Sequence, residues 1–398
     1  MYLHIIDESK TINHFIRRLR EMDLHDHYFL TLQSAPSTDL HLPLTDRTEF
    51  FPSDNNIRLL TQSLHRYKAV FIHNLCYHKA KIVLASPRNV VFVWGIWGYD
   101  YYYVYPGLYR NIFLPATSLA NIVLGKLSLT TKYLKYQLHP YLKHLGWNAR
   151  ERLQQQAAHR IDLTCNMMPN HSDVFRVVPK DPARRFPFSY YSIDFITEEL
   201  SGSSYDLGPH IYVGNSASNS SNHLDVFRQL RGWTGDRDIV VPLGYGCPRY
   251  RRLINVAGRY FFKNHFTPIN KYIPLKEYNE NLLSCNVMIF NHIRAQGLGN
   301  IVFGIWAGHR VFLRASNPAY AFFKSMGVKV YALDSNTLTS SLNPLNLEEK
   351  IHNRKTIEHL YSEEQVQAHF KSLLKQIDQI SSIAEQSHPH SVLHSSSN

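Results

Sequence analysis

The sequence predicts an α/β fold of two Rossmann-like βαβ domains facing a central cleft, and three observations carry that expectation. In the first half, Ala69–His73 (AVFIH) and residues 89–94 (NVVFVW) are short continuous apolar runs separated by a helical pattern, as buried parallel strands read. A polar, Pro-containing interval over 168–208, with SGSS at 201–204, then breaks the rhythm, which restarts at residue 210 with four more strand signals. Finally, 398 residues at 44% apolar and 19% charged content allow two separate cores. The expected division is a first domain over 1–200 that binds the acceptor and a second over 205–360 that binds the donor. A C-terminal helix over 361–386 and a disordered Ser/His tail over 387–398 follow.

Taken in order, residues 2–6 form a strand, Ser9 caps a helix that runs to residue 20, and residues 27–32 form a second strand. Residues 35–55, rich in Pro, Ser, Thr and Asp, read as loop. After the two apolar runs comes WGIWGYDYYYVYPGLYRNIF, with six tyrosines within eleven positions. Rings with one wet and one dry end suit a sugar-stacking wall or a membrane headgroup layer; an aromatic packing cluster reads equally from the same residues. The 108–145 stretch mixes Leu, Ile and Tyr with Arg110 and four lysines in a helical pattern, either a basic amphipathic surface or an ordinary exposed helix pair. Residues 160–166 read as a strand.

The second half gives strands at 210–213, 238–243, 287–290, 310–313 and 328–332. Helices are expected at 223–231, 276–285 and after Gly299, with Asn317-Pro318 opening another. No assignment falls between Gly246 and residue 276.

The net charge of +12 favours an anionic partner: nucleic acid, an acidic membrane face or a phosphorylated substrate. Lys and Arg are spread through both halves without a zinc-finger, RRM or OB signature, which argues against nucleic acid. Four scattered cysteines without CxxC spacing argue against a zinc site or disulfide framework and fit a reducing compartment. No metal and no cofactor is expected. The first ten residues do not read as a signal peptide, and the longest apolar stretch, 112–124, is interrupted and falls short of a membrane span. The protein is expected to be soluble or at most peripheral.

Two loops are candidates for holding phosphate. One is GNSASNSSNH at 214–223, with Gly214, Asn215 and Ser216 leading. The other is the stretch from residue 291 into a helix, with Arg294, Gln296, Gly297, Gly299 and Asn300. Each leaves a strand and enters a helix, where free N–H groups and the positive end of the helix dipole meet. Arg294 adds a fork of donors. The same residues also serve as ordinary caps and turns. Gly244 and Tyr245 follow a third strand at the same edge. No GxGxxG run with its downstream acid and no P-loop is present, so neither a dinucleotide oxidoreductase or epimerase nor a P-loop ATPase is favoured. In the first half, Asp100 and His73 close neighbouring strands and are the candidates for a general base, Asp100 first.

These features describe the GT-B layout of nucleotide-sugar glycosyltransferases. Five strings go further: WGIWGYD at 94–100, VGNSASNSSNH at 213–223, VVPLGYG at 240–246, the run from Cys285 to RAQGLG at 294–299, and Asn317-Pro318. Together they resemble glycosyltransferase family 56 over roughly residues 65–330. The resemblance implies a hexosyltransferase that moves 4-acetamido-4,6-dideoxygalactose from a TDP-sugar to an undecaprenyl-diphosphate-linked saccharide. That reaction belongs to the synthesis of enterobacterial common antigen, at the cytoplasmic face of the bacterial inner membrane. On this reading Gly214, Asn215, Ser216, Gly244, Tyr245, Arg294, Gln296, Gly297, Gly299, Asn300 and Asn317 hold the donor diphosphate. Trp97, Tyr99, Tyr102, Tyr105 and Arg110 meet the lipid-linked acceptor and the anionic membrane surface. Gly95 stands where the family has His and Tyr99 where it has Ala, departures that bear on the sugar and acceptor but not on the fold.

Overall fold

The computed structural model describes residues 1–33, 46–104, 112–123, 149–169, 184–200, 206–231, 235–333 and 343–386. Seven strands, β1 (Tyr2–Ile6), β2 (His27–Leu32), β3 (Arg47–Phe50), β4 (Ala69–His73), β5 (Phe92–Gly95), β6 (Leu163–Asn166) and β7 (Arg185–Pro187), form one sheet in the order β3-β2-β1-β4-β5-β6-β7. Six more, β8 (His210–Val213), β9 (Ile239–Pro242), β10 (Phe266–Ile269), β11 (Cys285–Phe290), β12 (Arg310–Leu313) and β13 (Tyr331–Ala332), form the other in the order β10-β9-β8-β11-β12-β13. Every pairing is parallel, so all carboxyl ends in a sheet share one edge. The order reverses between β1 and β4 and between β8 and β11, and ligands of doubly wound sheets gather at such switch points.

The central strands are buried along their whole length, which is why they read as unbroken apolar runs. Local chemistry sets the helix starts. Ser9 accepts from the Ile12 N–H and opens the helix Lys10–Glu21, while Asn346 and Glu349 form a reciprocal capping box for Leu347–Tyr361. The last helix, Glu363–Gln386, returns to the first sheet, where Phe370, Leu373 and Ile377 share a core with Phe15, Phe29 and Phe71.

Several elements differ from the sequence expectation. The interval 35–55 holds β3 and the start of a helix at Asp54. β3 is a short edge strand with only Phe50 buried, so it carries no apolar run. β7, the helix Pro248–Phe262, β10 and the helix Leu347–Tyr361 have no counterpart in the reading above. The first of these helices is rich in Arg and Tyr, which hide its apolar period. The expected helix over 108–145 is described only as Pro115–Val123, and the tail 387–398 lies outside the described residues.

Three imidazoles lie in line across β2, β1 and β4. His27 Nδ1 is 2.7 Å from His4 Nε2, and His4 Nδ1 is 2.9 Å from His73 Nε2. Burial holds all three below their ordinary value of 6.5: His27 at about 4, His73 at about 3, and His4 well below. Unfolding returns the rings to about 6.5, so the unfolded chain binds the extra protons at mildly acid pH. Their stabilisation is complete above pH 6.5 and is lost as pH falls from 6.5 toward 4, at about 1.4 kcal/mol per pH unit per group. Circular-dichroism melts are expected to show a steep fall in Tm across that window and little change between pH 7 and 8.

Candidate active site

The loops leaving β8 and β11 meet at the switch point of the second sheet. Gln296 Nε2 donates to Asn215 Oδ1 (2.8 Å), Ser220 Oγ donates to Gln296 Oε1 (2.6 Å), and Asn215 Nδ2 donates to Tyr245 Oη (2.9 Å). The loop after β9 joins them: Ala217 N donates to the Tyr245 carbonyl (2.8 Å) and Cys247 N to the Ala217 carbonyl (2.9 Å). Backbone geometry demands glycine at two of these positions. Gly214 has φ +80°, and a Cβ there would lie 2.4 Å from His223 Nε2. Gly297 has φ +70°, and a Cβ there would lie 3.1 Å from the Asn215 side chain.

Gly297 precedes the helix Leu298–Ala307, and no side chain caps that helix. Its first-turn N–H groups therefore have no intrahelical acceptor, and they carry the positive end of the dipole. Arg294, half-buried, lies within 3.4 Å of Ser220 Oγ beside them.

Two adjoining cavities open here. One, about 920 Å³, is lined by Trp97, Tyr99, Tyr102 and Phe113 from the first half and by Asn215–Ser220, Tyr245–Cys247 and Arg294–Gly297 from the second. The other, about 470 Å³, is mostly apolar, with Ile269, Tyr272, Ile273, Tyr278 and Phe303 on its walls and Gly244, Gly299 and Asn300 at its edge. Thr11, Tyr191, Asn215, Tyr245 and Gly297 line both. The arrangement can hold an anion between a large aromatic-walled cavity and a smaller apolar one.

Gly214, Asn215, Ser216, Gly244, Tyr245, Arg294, Gln296, Gly297, Gly299 and Asn300 are thus brought together. Asn317 is not: it is buried as a helix cap, accepting from Ala319 N (2.9 Å) and donating to the His292 carbonyl (3.1 Å). Trp97, Tyr99 and Tyr102 reach the larger cavity, whereas Tyr105 and Arg110 lie outside the described residues.

The two candidate bases are placed otherwise than expected. Asp100 is 2% exposed, and its carboxylate accepts from Trp94 Nε1 (2.8 Å), Leu75 N (3.0 Å) and Trp97 N (3.1 Å). Burial raises its pKa while those bonds oppose the rise. Such a carboxylate fixes the turn that carries Trp97 and does not open on the cleft. His73 is also buried. Its Nδ1 is 2.7 Å from Tyr190 Oη, which accepts from Trp97 Nε1 (2.6 Å). It too supports Trp97 from behind.

A third carboxylate, Asp7, follows β1 at the carboxyl edge of the first sheet and is about half exposed. Its Oδ2 accepts from Asn74 Nδ2 (2.5 Å) and from the buried Lys79 ammonium (2.6 Å). In the sequence it stands between the strand at 2–6 and the Ser9 cap, where an acid before a helix draws no notice.

Across the cleft, side chains of the second half tie it to the first, Asn222 and Asp225 among them. Asn222, with φ +50° and no exposure, accepts from Leu114 N (2.9 Å) and donates to the Ile112 and Asn291 carbonyls (3.0 and 3.2 Å). Asp225 accepts from Ala116 N, Thr117 N and Thr117 Oγ1 (2.9, 3.0 and 2.7 Å), capping the helix Pro115–Val123 from the other domain.

A family model described as 4-alpha-L-fucosyltransferase, glycosyl transferase group 56, matches residues 132–342. Solved structures resemble the whole chain at low identity. A sucrose-phosphate synthase from Thermosynechococcus elongatus matches with TM-score 0.57 and 11% identity, covering 95% of this chain and 99% of that one. An α,α-trehalose 6-phosphate synthase from Burkholderia multivorans matches with TM-score 0.59 and 8% identity, covering 99% of each. Anabaena HepE in complex with UDP matches with TM-score 0.55 and 9% identity, covering 94% and 100%. These likenesses make the fold GT-B.

The two glycines of the β11 loop differ in a way that can be measured. Gly297→Ala forces a left-handed backbone against Asn215 and is expected to cost about 1–2 kcal/mol of stability. A Cβ on Gly299 meets no protein atom within 4 Å, so Gly299→Ala is expected to leave Tm unchanged or slightly raised. Thermal melts of the two variants compare these directly.

Proposed function

Since the chain belongs to the glycosyl transferase group 56 family and is a glycosyltransferase, we propose that it moves 4-acetamido-4,6-dideoxygalactose from a TDP-sugar to an undecaprenyl-diphosphate-linked saccharide. The proposed reaction belongs to the synthesis of a surface polysaccharide of the enterobacterial common antigen type, at the cytoplasmic face of the inner membrane; membership of the family supports this reading. The observation that carries the donor side is the uncapped helix N-terminus at Gly297, with Arg294 beside it, set between two cavities that share Asn215, Tyr245 and Gly297.

The diphosphate lies at that junction, where the N–H groups of residues 298–300 and the Arg294 guanidinium take up the charge that develops as TDP departs. The thymidine occupies the smaller cavity, whose aromatic and aliphatic walls suit a flat base. The sugar and the incoming acceptor hydroxyl occupy the larger one, against Trp97, Tyr99 and Tyr102.

For the acceptor proton Asp7 is preferred to Asp100 and His73: it lines neither cavity itself, but its carboxylate is half-exposed at the sheet edge, four residues before Thr11, which lines both, whereas the other two groups are buried. Lys79 and Asn74 fix Asp7 through one oxygen, which leaves the other to accept the proton.

Calorimetric titration with TDP, UDP, GDP and CMP, with and without EDTA, tests the donor half. TDP is expected to bind equally in EDTA and to lose affinity in Arg294→Ala, whose turnover falls on the order of 10²–10³-fold. Preference for UDP or GDP would move the sugar away from the proposed one, and an Arg294→Ala enzyme with full turnover would overturn the loop assignment. On the acceptor half, Asp7→Asn is expected to lower kcat with TDP affinity retained. If instead Asp100→Asn lowers kcat at unchanged Tm, the base is Asp100.

A further inference from the structure

We propose that the outer face of the helix Pro248–Phe262, continued by Lys263, is the surface on which this protein rests on an anionic lipid bilayer. The inference rests on the lipid-linked acceptor proposed above. Segment 248–265 contains no Asp or Glu but carries Arg249, Arg251, Arg252, Arg259 and Lys263.

The helix is about 22 Å long at 1.5 Å per residue. It buries Tyr250, Ile254, Gly258 and Phe262 against the second domain, and Arg251 turns aside to donate to the Gly244 carbonyl (3.1 Å). The opposite side exposes Arg249, Arg252, Val256, Arg259, Tyr260 and Lys263, which recur at three- and four-residue steps and so share one face. No ion-pair partner of Arg249, Arg252, Arg259 or Lys263 is present among the described residues. The helix His223–Leu230, packed alongside, adds exposed Arg228, with exposed Arg231 just after its end, while its Asp225 turns inward to the Pro115–Val123 helix.

Between the cations stand two apolar tips: Val256 is 70% and Tyr260 is 73% exposed. Cations with an aliphatic and an aromatic tip on one helix face suit the headgroup layer, where the charges meet lipid phosphate and the tips enter the interface. A nucleic acid would use the charges but has no use for Val256, and a second copy of the chain would bring like charges together. The placement also serves the reaction. The helix begins at Cys247 and Pro248, and Gly246 and Cys247 line the larger cavity, so a bilayer along this face brings lipid-borne acceptors to the mouth of the cleft.

The test is vesicle flotation of the full chain with phosphatidylcholine alone and with added phosphatidylglycerol, over a salt series. Wild type is expected to float only with the anionic vesicles and to be released by salt. Arg252→Glu/Arg259→Glu/Lys263→Glu is expected to weaken partitioning on the order of 10²-fold, at about tenfold per 1.4 kcal/mol and roughly 1 kcal/mol per cation. Val256→Ser/Tyr260→Ser is expected to weaken it several-fold. Melting temperature and TDP affinity should be unchanged in both, which separates loss of the surface from loss of the fold.

Wild type that ignores anionic vesicles, or a triple variant that still floats, overturns the proposal. So does a single-stranded oligonucleotide that displaces the vesicles and binds Val256→Ser/Tyr260→Ser as tightly as wild type. Should no nucleotide bind while flotation follows the expected pattern, the donor reading fails and the lipid face stands.

Discussion

Asn222 is the buried residue around which the loops of the cleft are fixed. Its carboxamide pairs with backbone from residues 112–114 of the first half and with Asn291 after β11, and Asn291 Nδ2 returns a bond to its carbonyl (3.1 Å). The bonds to Ile112 and Asn291 are buried, so removing the side chain leaves backbone groups unpaired there, each at about 1–3 kcal/mol. Two loops and a segment of the other domain are thereby fixed around one residue held in a left-handed conformation. With Asp225 capping the helix Pro115–Val123, the segment that follows the tyrosine-rich stretch is anchored to the donor side of the cleft.

Around that tie, carboxylates and imidazoles divide by burial. Asp100 and His73 lie behind Trp97 with their polar atoms engaged, and they hold the indole toward the larger cavity. Asp7 stands at the sheet edge with one oxygen engaged by a buried ammonium. The distinction is one of solvation: a carboxylate saturated by N–H donors in the interior organises backbone, and one half in water stays accessible at the sheet edge. The donor side follows the same economy, since the polar atoms of Asn215, Gln296 and Ser220 satisfy one another and leave the helix N-terminus uncovered.

What could be read in the sequence follows from how each element is buried. β1, β4, β8 and β11 are enclosed on both faces, so their apolar runs stood out, and the loops after β8 and β11 followed directly. β3, β7 and β10 are sheet-edge strands or lie close to one, with few buried side chains, and left no run to find. The helix Pro248–Phe262 hides its period because tyrosine occurs on its buried and its exposed face, and Gly258 stands where an apolar side chain is expected. In the site, the phosphate loops were legible because glycine, serine and asparagine cluster where a strand meets a helix. Asp100 and His73 were placed on the right edge but not at the right depth, because sequence position fixes the strand end and burial depends on what packs over it. Asp7 had the opposite fate: an exposed acid before a helix looks like any other capping segment. The wall formed by Tyr272 and Tyr278 arises only when the segment after β10 and the helix Leu275–Leu283 meet the loop that follows β11.

The return of the helix Glu363–Gln386 to the first sheet has a consequence for the order of synthesis. The second sheet closes its cores with residues 168–361, all contiguous on the emerging chain. The first sheet has one face covered by its own helices, but its other face waits for Phe370, Leu373 and Ile377, translated some 300 residues after Phe71. On the ribosome the later-made domain can therefore finish first, while Phe15, Phe29 and Phe71 stay open to water or to a chaperone until the final helix is released.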